Sequence, residues 1–333
     1  LHRANRGSKE KIKEPSGFLA SGHILSISSH HRVQFGANMR IGFLDYYLDN
    51  YHANQFHGLL RGEFAAQVSA ELGQPVELAL AYETHAEAGP QRGDWCEARS
   101  VAKATSAEQL AQECDALICM APDNPEQHLP LLKLVAKFGK PLFLDKSLAG
   151  NLGEAREILS VADEHGVSIF STSSLRFSTE LGGLLEKCGK ASRRDIFSRG
   201  LGGWAGYACH VVCPAQRLLA APVRRVIETG RGDVWLVTLE YGDGQRALVE
   251  TRHSDNEYDV TPYHLGARVG NETQVATVAA YGDLYRNILH EAIRFFHTGE
   301  SPVSRSEMVQ AVAIEEAAIE SRKLGGAWVE LPE

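Results

Sequence analysis

The sequence predicts an α/β protein: a doubly wound parallel sheet followed by an α+β domain with a mostly antiparallel open sheet. Three observations predict it. From residue 40 to about 172, short apolar runs alternate with helical stretches, as parallel strands joined by crossover helices do. Those runs are apolar at nearly every position, which suits strands buried on both faces. Beyond about residue 175 the texture changes to longer strands and two late helices.

The elements follow in order. Residues 40–44 (RIGFL) read as a first strand, a helical stretch runs on to about 72 and stops at Gly73, and 76–82 (VELALAY) read as the second strand. Ser106 and Gln109 form a capping-box pattern before a short helix. Residues 115–121, 141–145 and 167–172 are three further strands. Asn124 with Pro125 opens the helix between the first two, and Gly139 ends it; Asn151 and Glu154 open the next, which Gly166 closes. Five strands with intervening helices make a doubly wound sheet. Farther on, 233–241 and 245–253, joined through Gly242-Asp243-Gly244, read as a β-hairpin. Helices are expected near 283–298 and 305–324, the second opening on Ser304 and Glu307 and ending at Gly325-Gly326, with a last strand at 328–331. The expected domains are 39–174 and 175–333.

Composition narrows the function. The 333 residues carry a formal charge of −8, which argues against a nucleic-acid binder because phosphate contacts need a basic surface. No apolar run is long enough to cross a bilayer. The cysteines, at 96, 114, 119, 188, 209 and 213, are sparse and form no CxxC pair, as expected of a reduced, cytoplasmic protein. Residues 1–38 are basic, at +4 against −12 for the remainder. They show no sustained period, and the reading is a disordered extension with Met39 as the natural start.

Several motifs then match one family in order. The segment 115–158 places a Pro-containing loop, Ala121-Pro122-Asp123, after a strand, then His128 on the next helix, then Asp145-Lys146-Ser147 after the following strand. GGWAGYACHVV places His210 on a later helix. Together these resemble the Gfo/Idh/MocA family of glucose–fructose oxidoreductase and inositol dehydrogenase. The resemblance spans roughly 39–333. It implies a Rossmann-like dinucleotide-binding domain followed by a substrate and dimerisation domain. It also implies an NAD- or NADP-dependent oxidoreductase transferring hydride from a sugar, polyol or related hydroxy compound, assembled as a homo-oligomer through its C-terminal sheet. In that family the E-K-P lysine polarises the reacting oxygen, here Lys146, and a histidine moves the proton, here His210 with Tyr207 beside it. The chemistry agrees: a fixed cation stabilises charge developing on oxygen, and a group titrating near neutrality suits the proton.

The chain departs from the family where a strand should lead into G-x-G-x-x-G. Those positions hold Asp45, Tyr47 and Asn50. Glycines there allow a tight turn and close approach of backbone to pyrophosphate, and an Asp at contact distance from phosphate would cost about 1 to 4 kcal/mol. Cofactor contacts are expected from Asp45, Tyr46, Tyr47, Glu83, Pro122, Asp123, His128 and Asp145, with His128 read also, and more readily, as a structural support of the loop before it. Tyr46 and Tyr47 either stack on a ligand ring or fill the space the glycines leave. The partner Asp of the family's D-x-x-x-H is Gly206, and Ser147 replaces the proline of E-K-P. Arg176 reads equally as a substrate-anion contact or a domain-interface ion pair. Cys209, His210 and Cys213, or Asp45, Asp49 and His52, lack an evident fourth ligand, so no metal is expected. Two alternatives stand beside the dehydrogenase: an NAD-retaining or cofactor-independent glycoside-cleaving or lyase enzyme of the same fold, and a non-enzymatic sugar-sensing regulator.

Overall fold

The computed structural model describes residues 37–332, apart from 91, 92, 190, 191, 220, 255–261 and 280. The extension expected over 1–38 therefore lies, save for Ala37 and Asn38, outside the described residues. The first half builds strand β1 (Met39–Asp45), helices α1 (Tyr51–Arg61) and α2 (Glu63–Leu72), and strand β2 (Val76–Glu83). A short helix α3 (Trp95–Arg99), strand β3 (Ala102–Lys103), helix α4 (Ala107–Glu113) and strand β4 (Ala116–Cys119) come next. Helix α5 (His128–Val135), strand β5 (Leu142–Leu144), helix α6 (Leu152–His165) and strand β6 (Ile169–Phe170) complete the sheet.

These six strands lie in the order β3-β2-β1-β4-β5-β6, all parallel. That is the doubly wound order, and its strand sequence reverses between β1 and β4, where open sheets of this kind bind ligands. The helical stretch after β1 is two helices, not one, because Gly62 adopts an extended conformation between them. Strand β3 was not anticipated; two exposed residues carry no periodic signal. Of the expected caps, Ser106 and Asn151 accept the N–H groups of Gln109 and Glu154. Asn124 makes no side-chain cap and precedes a 3₁₀ turn instead.

The second half holds helix α7 (Thr179–Cys188), strand β7 (Arg193–Leu201), helix α8 (Trp204–Leu219) and strands β8 (Val223–Glu228), β9 (Val234–Tyr241) and β10 (Arg246–Arg252). Strands β11 (His264–Val269) and β12 (Glu272–Thr277), helices α9 (Tyr281–Thr298) and α10 (Arg305–Lys323), and strand β13 (Val329–Glu330) follow. The seven strands run β12-β11-β7-β10-β9-β8-β13, and only the β7–β10 pair is parallel. The expected hairpin is β9–β10, turned at Gly244 with φ +79. Ser304 and Glu307 form the reciprocal capping box at the start of α10.

Two hydrophobic cores result, one under each sheet. A cut at 174/175 separates the sheets but not the cores. Ile288, Leu289, Phe295 and Phe296 of α9 and Met308 and Val312 of α10 pack into the first. Ile314 and Ala318, on the same helix α10, pack into the second. Among the described residues no helix is long and apolar enough to cross a membrane.

Candidate active site

A cleft of about 640 Å³ opens at the carboxyl ends of β4 and β5 and is closed on its far side by α8 and α9. Tyr51 and His52 enter it from the first turn of α1, Pro122 and Asp123 from the loop after β4, and Lys146 and Ser147 from the end of β5. Tyr207 and His210 come from α8, and Tyr263, Tyr281 and Tyr285 from the chain leading into and along α9. Two glycines seat two of these rings. A Cβ on Gly200 would lie 2.1 Å from the Tyr263 ring, and one on Gly202 would lie 2.1 Å from that of Tyr207. Gly202 also holds φ +101, which side chains rarely adopt.

Lys146 is buried to 8% exposure, and its ammonium donates to the Pro122 carbonyl at 2.9 Å. The Lys146–Ser147 peptide is cis. His210 faces Lys146 across the cleft, its Nδ1 paired with the Ser173 hydroxyl at 2.7 Å. Burial first, and then the charge of Lys146, push this imidazole down to about 3. The ring is therefore neutral in the folded protein, whereas an unfolded histidine takes a proton below about 6.5. Folding stability from this group is present above that pH and is lost as the pH falls from 6.5 toward 3. His210→Gln is expected to flatten the fall of melting temperature over that window. An unchanged acid limb in thermal melts would assign the acid sensitivity to other groups.

Sequence reasoning missed a second cluster at the same cleft. His52 Nδ1 makes a short hydrogen bond with the Asp145 carboxylate, and its Nε2 lies 3.1 Å from the Tyr285 hydroxyl. Burial pushes Asp145 up, but the charge and hydrogen bond of His52, with Lys146, outweigh it and hold the carboxyl below its ordinary value. Burial pushes the Tyr285 phenol up. No spacing signal joins residues 52, 145 and 285; only the strand order brings them together.

The turn after β1 is filled rather than open. Asp45 is 1% exposed, and its carboxylate accepts the N–H groups of Tyr46 at 2.7 Å and Ala121 at 2.9 Å and the Asn50 amide at 2.9 Å. Burial pushes its carboxyl up to about 8, against the pull of those donors. Asn50 also caps α1 through the Ala53 N–H and donates to the Tyr47 carbonyl. Glu83 turns back to accept the Leu48 N–H at 2.8 Å. The Tyr46 ring lies 4.6 Å from that of His85, and Tyr47 packs beside Gly89. Donors that a glycine turn would present to a pyrophosphate are thus taken by the protein's own side chains, and this turn does not fit that group held by backbone. Of the eight residues expected to hold a cofactor, Pro122 and Asp123 border the cleft. Asp45, Tyr46, Tyr47, Glu83 and Asp145 serve instead the internal contacts just described.

Two further candidate residues lie away from the cleft. Arg176 is 6% exposed and turned away from the cleft, its guanidinium held by Glu307 at 2.8 Å and by the Cys213 carbonyl. The ion pair lies within the 175–333 half rather than across the expected domain boundary. His128 is fully buried between the carbonyls of Met120 and Leu148, at 2.7 and 3.1 Å, and so fastens the loops after β4 and β5 without reaching a ligand. His128→Ala should cost about 2–4 kcal/mol of stability, from a cavity and orphaned carbonyls; denaturant unfolding checks it, and a loss under about 0.5 kcal/mol would deny the fastening role. Among the described residues no group of three or more His, Cys, Asp or Glu side chains is placed to hold a metal ion.

No family model and no curated protein matches the sequence. Solved structures do. GenD2 from gentamicin A biosynthesis, in complex with NAD, aligns with a TM-score of 0.73 at 12% identity, covering 91% of this chain and 99% of that one. Myo-inositol 2-dehydrogenase from Lactobacillus plantarum gives 0.70 at 12% identity over 89% and 100%. A myo-inositol dehydrogenase from Corynebacterium glutamicum gives 0.68 at 16% identity over 89% and 99%. At such identities the likeness is one of fold, and this chain has the fold of the Gfo/Idh/MocA-type dehydrogenases.

Proposed function

We propose that this chain is an oxidoreductase-type enzyme acting on a hydroxyl or carbonyl group of a sugar, polyol or related compound. One observation carries the reading: Lys146 from β5 and His210 from α8 border one cleft. The Lys146 ammonium would stabilise negative charge developing on the substrate oxygen. The neutral His210 ring, with Nδ1 held by Ser173, offers Nε2 to a substrate hydroxyl. Tyrosine walls with polar tips suit a ring that is apolar on its faces and hydroxylated at its rim.

NAD or NADP is the proposed redox partner, supported by the solved neighbours, of which GenD2 contains NAD. The filled turn at Asp45 and Asn50 favours a second reading, in which Lys146 and His210 act on a carbonyl compound as a lyase, without net oxidation. A homo-oligomer is proposed through the open sheet. Val275, Phe197 and Leu248 share one row across β12, β7 and β10, and Leu248 and Val275 are exposed. Six buried free thiols suit a reduced, cytoplasmic setting.

The test is a panel of polyols and sugars with NAD(H) and NADP(H), followed by cofactor absorbance and by product analysis. Cofactor reduction supports the oxidoreductase; product without it supports the lyase. A ligand that raises the melting temperature without turnover would leave a sensor.

A further inference from the structure

We propose that Tyr285, His52 and Asp145 form the proton exit of this cleft: Tyr285 meets the substrate hydroxyl, and His52 receives the proton under the hold of Asp145. The inference rests on the proposed function only in taking the cleft as the substrate site.

The hydrogen-bond directions follow from chemistry. An ionised carboxylate only accepts, so Asp145 keeps a proton of His52 on Nδ1, and the relay starts from the ring that carries no second proton. Nε2 is then a lone pair, and the Tyr285 hydroxyl at 3.1 Å must donate to it. The phenolic oxygen keeps lone pairs free to accept. Tyr285 and His52 both border the cleft, so a substrate hydroxyl seated against Tyr285 completes a chain. As the substrate O–H bond breaks, its proton joins the Tyr285 oxygen while the Tyr285 proton passes to His52 Nε2. The substrate keeps the electron pair as an alkoxide facing Lys146, and the imidazolium is left beside the Asp145 carboxylate. Atoms and charge balance with no co-reactant.

His210 is less fit to hold the proton. It is pushed far down by burial and by Lys146, so it accepts a hydrogen bond without retaining a proton near neutrality. His52 has a carboxylate partner, where His210 has the Ser173 hydroxyl. The charged and titratable groups around the relay are Asp145 and Lys146 at the end of β5, Asp123 from the β4 loop, Tyr51 from α1, Tyr207 and His210 from α8, and Tyr263 before β11.

Two measurements on the full chain decide the matter. The first is ¹⁵N NMR of ring-labelled histidines, with His52 assigned by its loss in His52→Gln. The relay requires Nδ1 protonated and Nε2 unprotonated; the opposite tautomer overturns it, whether or not a substrate is known. The second is the pH profile of kcat on whichever polyol the wild type turns over. Tyr285→Phe and His52→Gln should lower kcat about a hundredfold or more with KM little changed, and His52→Gln should remove the acid limb. Asp145→Asn should also lower kcat, because an amide can donate as well as accept and no longer fixes the His52 tautomer. A residue with a merely structural role would not move the limb, and an unmoved limb in His52→Gln overturns the inference. A wild type silent on every polyol is a failure of the enzyme reading instead, and the tautomer still decides the relay.

Discussion

Lys146→Ala loses turnover by about 10²- to 10³-fold in kcat while the fold survives, the scale expected when one donor to a developing oxyanion is removed. The lysine sits where β5 ends, buried and bordering the cleft. Its ammonium donates to the Pro122 carbonyl, and its charge favours the anionic forms of Asp145 and Glu315. Truncation therefore leaves one acceptor unmet, at about 1 kcal/mol, and withdraws a cation from those carboxyls, so a lowered Tm accompanies the loss. Lys146→Arg should not restore the rate, because the planar fork cannot place its charge where the compact ammonium sits. The check is kcat on an identified polyol alongside a thermal melt. Retained turnover in a well-folded Lys146→Ala would remove Lys146 from the chemistry.

Dinucleotide affinity is expected to fall as the pH rises through about 8, the value to which burial pushes Asp45. The carboxyl is neutral below that pH and anionic above it, and only the anion repels phosphate. At contact distance the repulsion amounts to about 1 to 4 kcal/mol, or roughly five- to a thousandfold in Kd. In Asp45→Asn the dependence should vanish. The amide retains an oxygen for the Tyr46 and Ala121 N–H groups and gives up only the bond from the Asn50 amide. Calorimetric titration of NADH and NADPH at pH 6.5 and 9 measures both. Tight binding that ignores pH would mean that the phosphates lie away from Asp45.

The fold was legible because each parallel strand is short, apolar and bracketed by a helix cap or a glycine stop. Strand β4 reads ALIC and β5 reads LFL, fully buried in both cases. Strand β7 was not legible: RRDIFSRGL mixes polar and apolar residues on both faces, with Ile196, Ser198 and Gly200 on one and Asp195, Phe197 and Arg199 on the other, and it is paired on both sides by strands distant in sequence. The site was half legible. Lys146 and His210 stood out by their motifs, and both reach the cleft. Arg176 and His128 carry a structural reading beside the functional one, and Glu307 and two backbone carbonyls hold them. The His52–Asp145–Tyr285 chain left no trace, since its members are linked only by tertiary contact. Loss of the glycines was visible in the sequence. That Asp45 would occupy the vacated seat with its own carboxylate was not.

Helices α9 and α10 lend their apolar faces to the core beneath the parallel sheet. A ribosome delivers that sheet's six strands long before it delivers those helices. The nascent sheet must therefore wait, partly uncovered, until residues near 312 have left the exit tunnel. A polypeptide stopped at 174 would lack Ile288, Phe295, Phe296 and Val312 altogether, and would be a client for chaperones rather than a free-standing half.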